Sequence, residues 1–246
     1  SIGLLFYGTF SIGGLGASEK EDAKTVDLIS ELSGKGWLDE IQVSVNTPQP
    51  GTDFYHTALE SGFLKKNLRY NDFDGNGHVV VEYPHYQADR IQAMFQNALA
   101  AFDKGREAAD GDSFLTAAQG SFEQIASNSK VLVMRSVRPW MIKFILQALK
   151  NRSSAADLLC QKNVEEDFRS DPHVRHTFAY SGGFFSRESI TPELIQQLRG
   201  NRYDSILIPM ANNHLPGYQN VIDTARDIQP SRLLGVYQDG QIQPLS

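Results

Sequence analysis

The chain carries a single cysteine, Cys160, in 246 residues. A disulfide within the chain is therefore impossible, which fits a reducing compartment, and the expected location is cytoplasmic. A cysteine-bound iron–sulfur cluster is excluded for the same reason, because it takes several thiolates. Cationic excess is missing as well. Lys and Arg number 23 against 29 Asp and Glu, a net charge of −6, so no electrostatic footprint for nucleic acid is present. No apolar run approaches the ~18 residues of a membrane span. The apolar opening SIGLLFYGTFSIGGLG has no basic leading segment and does not read as a signal peptide. The six histidines show no metal spacing such as HExxH. The glycine-rich run YSGGFFSRES (180–189) has neither GxGxxG nor GxxxxGK[ST] spacing.

What remains is ordinary globular composition, 41% hydrophobic and 21% charged, in a chain long enough for two cores. Strand and helix signals alternate. LLFYGTFSI (4–12) reads as a buried strand that ends at glycines, and Ser18 with Glu21 has the spacing of a capping box opening a helix to Leu32. IQVSV (41–45) is the next strand, and a helix from Asp53 closes at Gly62. VVVEY (79–83) is expected as a third strand, followed by a helix over 87–104. DGDS (110–113) reads as a break before another helix, 114–126. From Asn128 the pattern restarts: strands at 130–134, 157–161, 176–181, 205–210 and 232–237, helices at 139–149, 191–200 and 217–228, and a tight DG turn into a short last strand. Alternation of this kind implies parallel sheets with crossover helices. The fold class is α/β, with 1–105 as one domain, 106–128 as a helical linker and 129–246 as a Rossmann-like domain.

Two strand exits stand out. GTFSIGGLGASEKED (8–22) leaves the first strand through four closely spaced glycines, counting Gly8. NTPQPGT (46–52) leaves the second through two prolines and a glycine. The prolines fix φ at two positions, and glycine lets backbone approach a ligand. Together these runs resemble the fifth and sixth strand exits of radical S-adenosylmethionine (radical SAM) enzymes, with typical forms GxFIIGxPGETxED and xPxPGTxLYxxAxxxGLL. The resemblance is closest to the cobalamin-binding subgroup and covers residues 1–105. It implies the last strands of a partial (β/α) barrel, with backbone at Ile12, Gly13, Gly14 and Gly16 and at Asn46, Pro48, Pro50 and Gly51 lying against S-adenosylmethionine. It also implies a 4Fe–4S cluster whose ligands lie outside this chain, and cobalamin. Leu15 and Ala17 depart from the family's proline and glutamate. The family's CxxxCxxC motif lies upstream of these strands, so the expectation is a C-terminal portion whose N-terminal half is missing here and which is inactive alone. No catalytic residue is assigned.

A second constellation sits in 129–246. RSVRPW puts Arg135 and Arg138 between a strand and a helix N-terminus, a place that favours anions. ANNHLPGYQN puts Asn212, Asn213 and His214 at another strand's carboxyl edge, where open α/β sheets bind ligands. YDSILIPMANNHLPGYQNV resembles the Rossmann-like halves of some glycosyltransferases. The alternative function is thus a nucleotide- or sugar-phosphate-binding protein acting through these five residues on a small-molecule substrate. NDFDGNGHVVVEY (71–83) approaches an EF-hand loop but has Tyr83 where the bidentate glutamate belongs, and it reads as a polar turn.

Overall fold

The computed structural model describes residues 5–73, 77–152, 154–182, 185–211 and 215–245. Contacts divide the chain into two compact units, Ser1–Ala109 and Asp110–Ser246.

In the first unit, β1 (Tyr7–Ile12) and β2 (Glu40–Val45) are parallel neighbours in register from Tyr7↔Glu40 to Ile12↔Val45. The crossover helix α1 (Glu19–Gly34) is capped by Ser18, whose Oγ accepts from the Glu21 amide. At its other end Gly36 takes a positive φ of 67°, and the Trp37 amide reaches the Leu32 carbonyl, a Schellman closure. Helix α2 (Asp53–Glu60) starts at the Thr52 cap and closes the same way at Gly62. Alternate residues of both strands (Phe10, Ile12, Ile41, Val43, Val45) pack into a core with Ile29, Ala58, Ile91 and Phe102. Among the described residues this sheet has two strands.

The expected third strand at 79–83 is not one. Val79, Val80 and Val81 are all buried, and the segment pairs with 63–65 at an isolated antiparallel bridge, Leu64↔Val81. The reason is local: Pro84 follows at once, and Tyr83 is tied to Tyr86 by two reciprocal backbone hydrogen bonds of 3.0 Å. A second correction concerns DGDS. Helix α3 runs unbroken from Ala88 to Ser121 and contains it. Gly111 is held there by packing: a Cβ at this position would lie 2.5 Å from the Phe144 ring. Residues 110–125 therefore do not form a separate linker helix; Phe114, Ala118, Phe122 and Ile125 belong to the second unit's core.

That unit is a six-stranded sheet in the order β5-β4-β3-β6-β7-β8. Its strands are β3 (Lys130–Met134), β4 (Ala155–Gln161), β5 (Val174–Tyr180), β6 (Ser205–Met210), β7 (Arg232–Tyr237) and β8 (Ile242–Pro244). The first five are parallel, and β8 returns antiparallel against β7. All six residues of the central strand β6 are buried. Helix α4 (Pro139–Asn151) and the short α5 (Glu165–Arg169) pack one face of the sheet; α6 (Pro192–Gly200) and α7 (Gln219–Ile228) pack the other. The order reverses between β3 and β6, which is the arrangement of a doubly wound, Rossmann-like sheet. No helix among the described residues is long and apolar enough to cross a membrane. Trp140 is buried in the α4 core, whereas Trp37 is 58% exposed under the Lys35 ammonium.

Candidate functional site

In the first unit the two marked exits leave neighbouring strands at the same end. The Asn46 amide donates to the Ile12 carbonyl at 2.7 Å, so the exits begin side by side. Ile12 and Gly13 are buried, Gly14 is half-buried, and Gly16 is exposed. Gly13 and Gly16 have φ of 74° and 77°, values that side chains resist. Gly14 faces Asn46: a Cβ there would stand 3.1 Å from Asn46 Nδ2. The second exit turns outward. Pro48 is buried, Pro50 and Gly51 are exposed, and Gly51 has φ of 91°. Gln49 anchors this turn by donating to the Phe73 carbonyl at 2.6 Å. Ile12, Gly13, Gly14 and Asn46 are thus brought together, while Pro50 and Gly51 form the outer rim.

The loop at 13–19 is held from below by residues the sequence did not single out. The Gly13 amide donates to Asp22 Oδ2 at 2.8 Å, and the Tyr86 hydroxyl donates to the same oxygen at 2.9 Å. The Tyr83 hydroxyl donates to the Gly13 carbonyl at 3.1 Å. Further along, the His85 ring lies 3.0 Å from the Ala17 carbonyl, and Arg90 pairs with Glu19 at 2.9 Å. Burial, with the Asp22 charge second, pushes the Tyr83 phenol up to about 12. Burial and its bond to Asp22 raise Tyr86 as well. Both phenols are donors throughout the physiological range. The signal in the sequence was EYPHY, two tyrosines around a proline and histidine, which read instead as the end of a strand.

In the second unit, β3 and β6 are adjacent, so the loop carrying Arg135 and Arg138 and the loop that begins at Ala211 leave from one edge of the sheet. Ser136 joins them: its Oγ donates to the Pro209 carbonyl at 2.5 Å. The Arg135 guanidinium donates to Gln161 at the end of β4. Arg138 is the N-cap of α4, with Pro139 at the first helical position. The Ala211 amide donates to the Tyr218 hydroxyl at 2.7 Å. Tyr180, at the end of β5, is buried, and its hydroxyl has no hydrogen-bond partner among the described residues. Asn212, Asn213 and His214 lie outside the described residues, as do Asp74 and Asn76 of the EF-hand-like run. Asp72 of that run accepts the Arg69 amide at 2.7 Å, a local turn bond. Cys160 is buried between sheet and helix, and desolvation pushes its thiol up to about 11.

No family model matches the chain, and no curated protein matches it. A solved structure of shikimate dehydrogenase from Aquifex aeolicus aligns over 97% of this chain and 91% of its own, at 9% identity and a TM-score of 0.29. At that score the likeness adds nothing to the strand order as a description of the fold.

Proposed function

We propose that this chain is the C-terminal portion of a radical SAM enzyme of the cobalamin-associated subgroup, whose β1 and β2 exits supply backbone to the S-adenosylmethionine pocket. The observation that carries the reading is the pairing of β1 with β2, which sets the glycine-bearing and Pro-x-Pro-Gly exits side by side. Exposure of the sheet agrees with it. Parallel sheets are ordinarily covered on both faces, yet Tyr7, Thr9, Ser11 and Gln42 are exposed here, and Leu5 and Phe6 at the head of β1 are 65% and 60% exposed. Further barrel strands beside β1 would cover them. The cluster ligands are assigned to the part of the protein outside this chain, because one buried cysteine does not hold a cluster. S-adenosylmethionine on a reduced cluster supplies the 5′-deoxyadenosyl radical; the residues here bind and orient, and break no bond. Cobalamin rests on the family resemblance alone. The test is the coding sequence upstream of Ser1, followed by anaerobic assay of the complete protein. The expected result is a CxxxCxxC motif and reductant-dependent formation of 5′-deoxyadenosine. A complete frame without three clustered cysteines refutes the reading.

A second reading concerns the other unit. The loop 135–140 and the chain that leaves β6 at Ala211 depart from the same edge of the sheet where the strand order reverses, the position at which open α/β sheets bind ligands. This favours a nucleotide- or sugar-phosphate site there, of a glycosyltransferase-like kind, with Arg135 and Arg138 toward the phosphate. Calorimetric titration with nucleoside diphosphates and UDP-sugars tests it, using Arg138→Ala as the comparison. Equal binding by the two proteins, or none by either, removes it.

A further inference from the structure

We propose that Asp22, Tyr83 and Tyr86 are the positioning residues of the ligand-facing loop 13–17, a role that rests on the S-adenosylmethionine reading above. The Gly13 peptide is gripped at both of its polar groups: its N–H by Asp22 Oδ2 at 2.8 Å, its C=O by the Tyr83 hydroxyl at 3.1 Å. Tyr86 donates to that same carboxylate oxygen at 2.9 Å, so the acceptor is itself fixed. All three side chains are at least nine-tenths buried, Asp22 at 6% exposure and each tyrosine at 1%. A carboxylate placed in a protein interior is costly unless such donors meet it. Here the donors belong to the loop and to the turn before α3, so the carboxylate's solvation and the loop's conformation are one device.

The turn that carries the tyrosines is rigid. Tyr83 and Tyr86 exchange backbone hydrogen bonds across Pro84 and His85, and the Gln87 side chain donates to the Tyr83 carbonyl at 2.8 Å. From the other side, Ile91 presses on Gly13: a Cβ there would meet Ile91 Cγ2 at 2.7 Å. The left-handed Gly13 is therefore fixed in place. What it leaves facing outward is the backbone of Gly14, Leu15 and Gly16, half-buried to exposed. A pocket built from backbone has no side-chain rotamers to adjust, so its fit depends on how firmly the chain is held. That is the task assigned to Asp22, Tyr83 and Tyr86.

The test uses the full chain and four variants: Tyr83→Phe, Tyr86→Phe, Asp22→Ala and Asp22→Asn. The last turns its amide oxygen into the Oδ2 position and keeps both bonds. Amide hydrogen exchange over 13–17 is measured on this chain without ligand, and S-adenosylmethionine affinity by calorimetry on the complete protein carrying the same substitutions. Tyr83→Phe is expected to speed exchange in this segment about tenfold, with other segments of the first unit unchanged, and to weaken binding by a similar factor. Asp22→Ala does more, and Asp22→Asn restores most of both. Unchanged loop exchange in Tyr83→Phe and Asp22→Ala overturns the proposal. So does faster exchange with S-adenosylmethionine affinity equal to wild type. A complete wild-type protein that binds no S-adenosylmethionine counts against the function proposed above; the exchange series then decides by itself whether the three side chains hold the loop.

Discussion

Asp157 offers the most exacting test of how the second unit is held together. Its side chain is fully buried on β4, and three neighbours make four contacts with it. Arg175 donates twice, at 2.9 and 2.7 Å; Tyr203 donates at 2.7 Å; the His176 ring lies at 3.2 Å. Burial alone would raise this carboxyl, but the bonds from Arg175, Tyr203 and His176 outweigh it and hold the group below the usual range. Asp157→Ala removes the acceptor of the Tyr203 hydroxyl, 2% exposed, leaving it only the bond from Asn201, and half-strands Arg175, whose side chain is 32% exposed and partly rescued by water. Breaking a fully buried pair costs about 3–5 kcal/mol; the exposure of Arg175 puts the loss here at the lower end, about 3 kcal/mol. Asp157→Asn keeps the shape and loses the charge, for about 2 kcal/mol. With a urea slope of about 2 kcal/mol/M, the alanine midpoint falls by about 1.5 M. Trp140 lies in this unit's core, so a Trp37→Phe background makes fluorescence report this unit alone. The sign with pH follows from the depressed value. The carboxylate's contribution is present above its unfolded pKa of about 3.9 and is lost as pH falls through the lower folded value. The gap between wild type and Asp157→Asn is therefore full at pH 6 and closes in acid. A loss under about 1 kcal/mol for Asp157→Ala at pH 7 would refute the reasoning, since that is the worth of a surface pair.

Three further outcomes follow from single positions. Gly105→Ala puts a Cβ 1.9 Å from Ser33 Oγ and 2.8 Å from the Gly34 amide nitrogen where α3 crosses α1; chemical denaturation should show a loss of about 2–3 kcal/mol in the first unit, despite alanine's better helix propensity. Gln229 closes α7 in the left-handed region, φ 61° and ψ 59°, with its side chain exposed. Gln229→Gly should therefore stabilise the second unit by about 1 kcal/mol, and a lower thermal midpoint would contradict this. The Cys160 thiol, buried and pushed up to about 11, should resist a thiol reagent at pH 8 until urea unfolds the second unit; rapid labelling of the native chain would show the core around it to be open.

Elements set by local chemistry were legible in the sequence. Ser18 with Glu21, and Thr191 before Pro192, each open a helix as their side chains predict. Strands of alternating or fully apolar character, 41–45 and 205–210, were placed to within a residue. Sequence and structure part where packing overrides local signal. Gly111 and its aspartate neighbours look like a break, yet the fit of Gly111 against Phe144 keeps the helix running. VVVEY has strand composition, but its pairing stops at an isolated bridge with Pro84 directly behind it, so it is a buried core segment and not a ladder strand.

The candidate site divides along the same line. Its glycine and proline positions were visible because unusual backbone requires unusual residues. The groups that hold that backbone were not. Asp22 sits nine residues from Gly13, Tyr86 sixty-four from Asp22, and Tyr83 seventy from Gly13. Nothing local distinguishes a tyrosine that grips a distant peptide from one that fills a core, because the difference lies in which carbonyl its hydroxyl meets after folding. A site made of backbone thus announces its position in sequence and conceals its support. Substitutions in the turn before α3, far along the chain from the glycines, should therefore disturb the site as much as substitutions in the glycine loop itself.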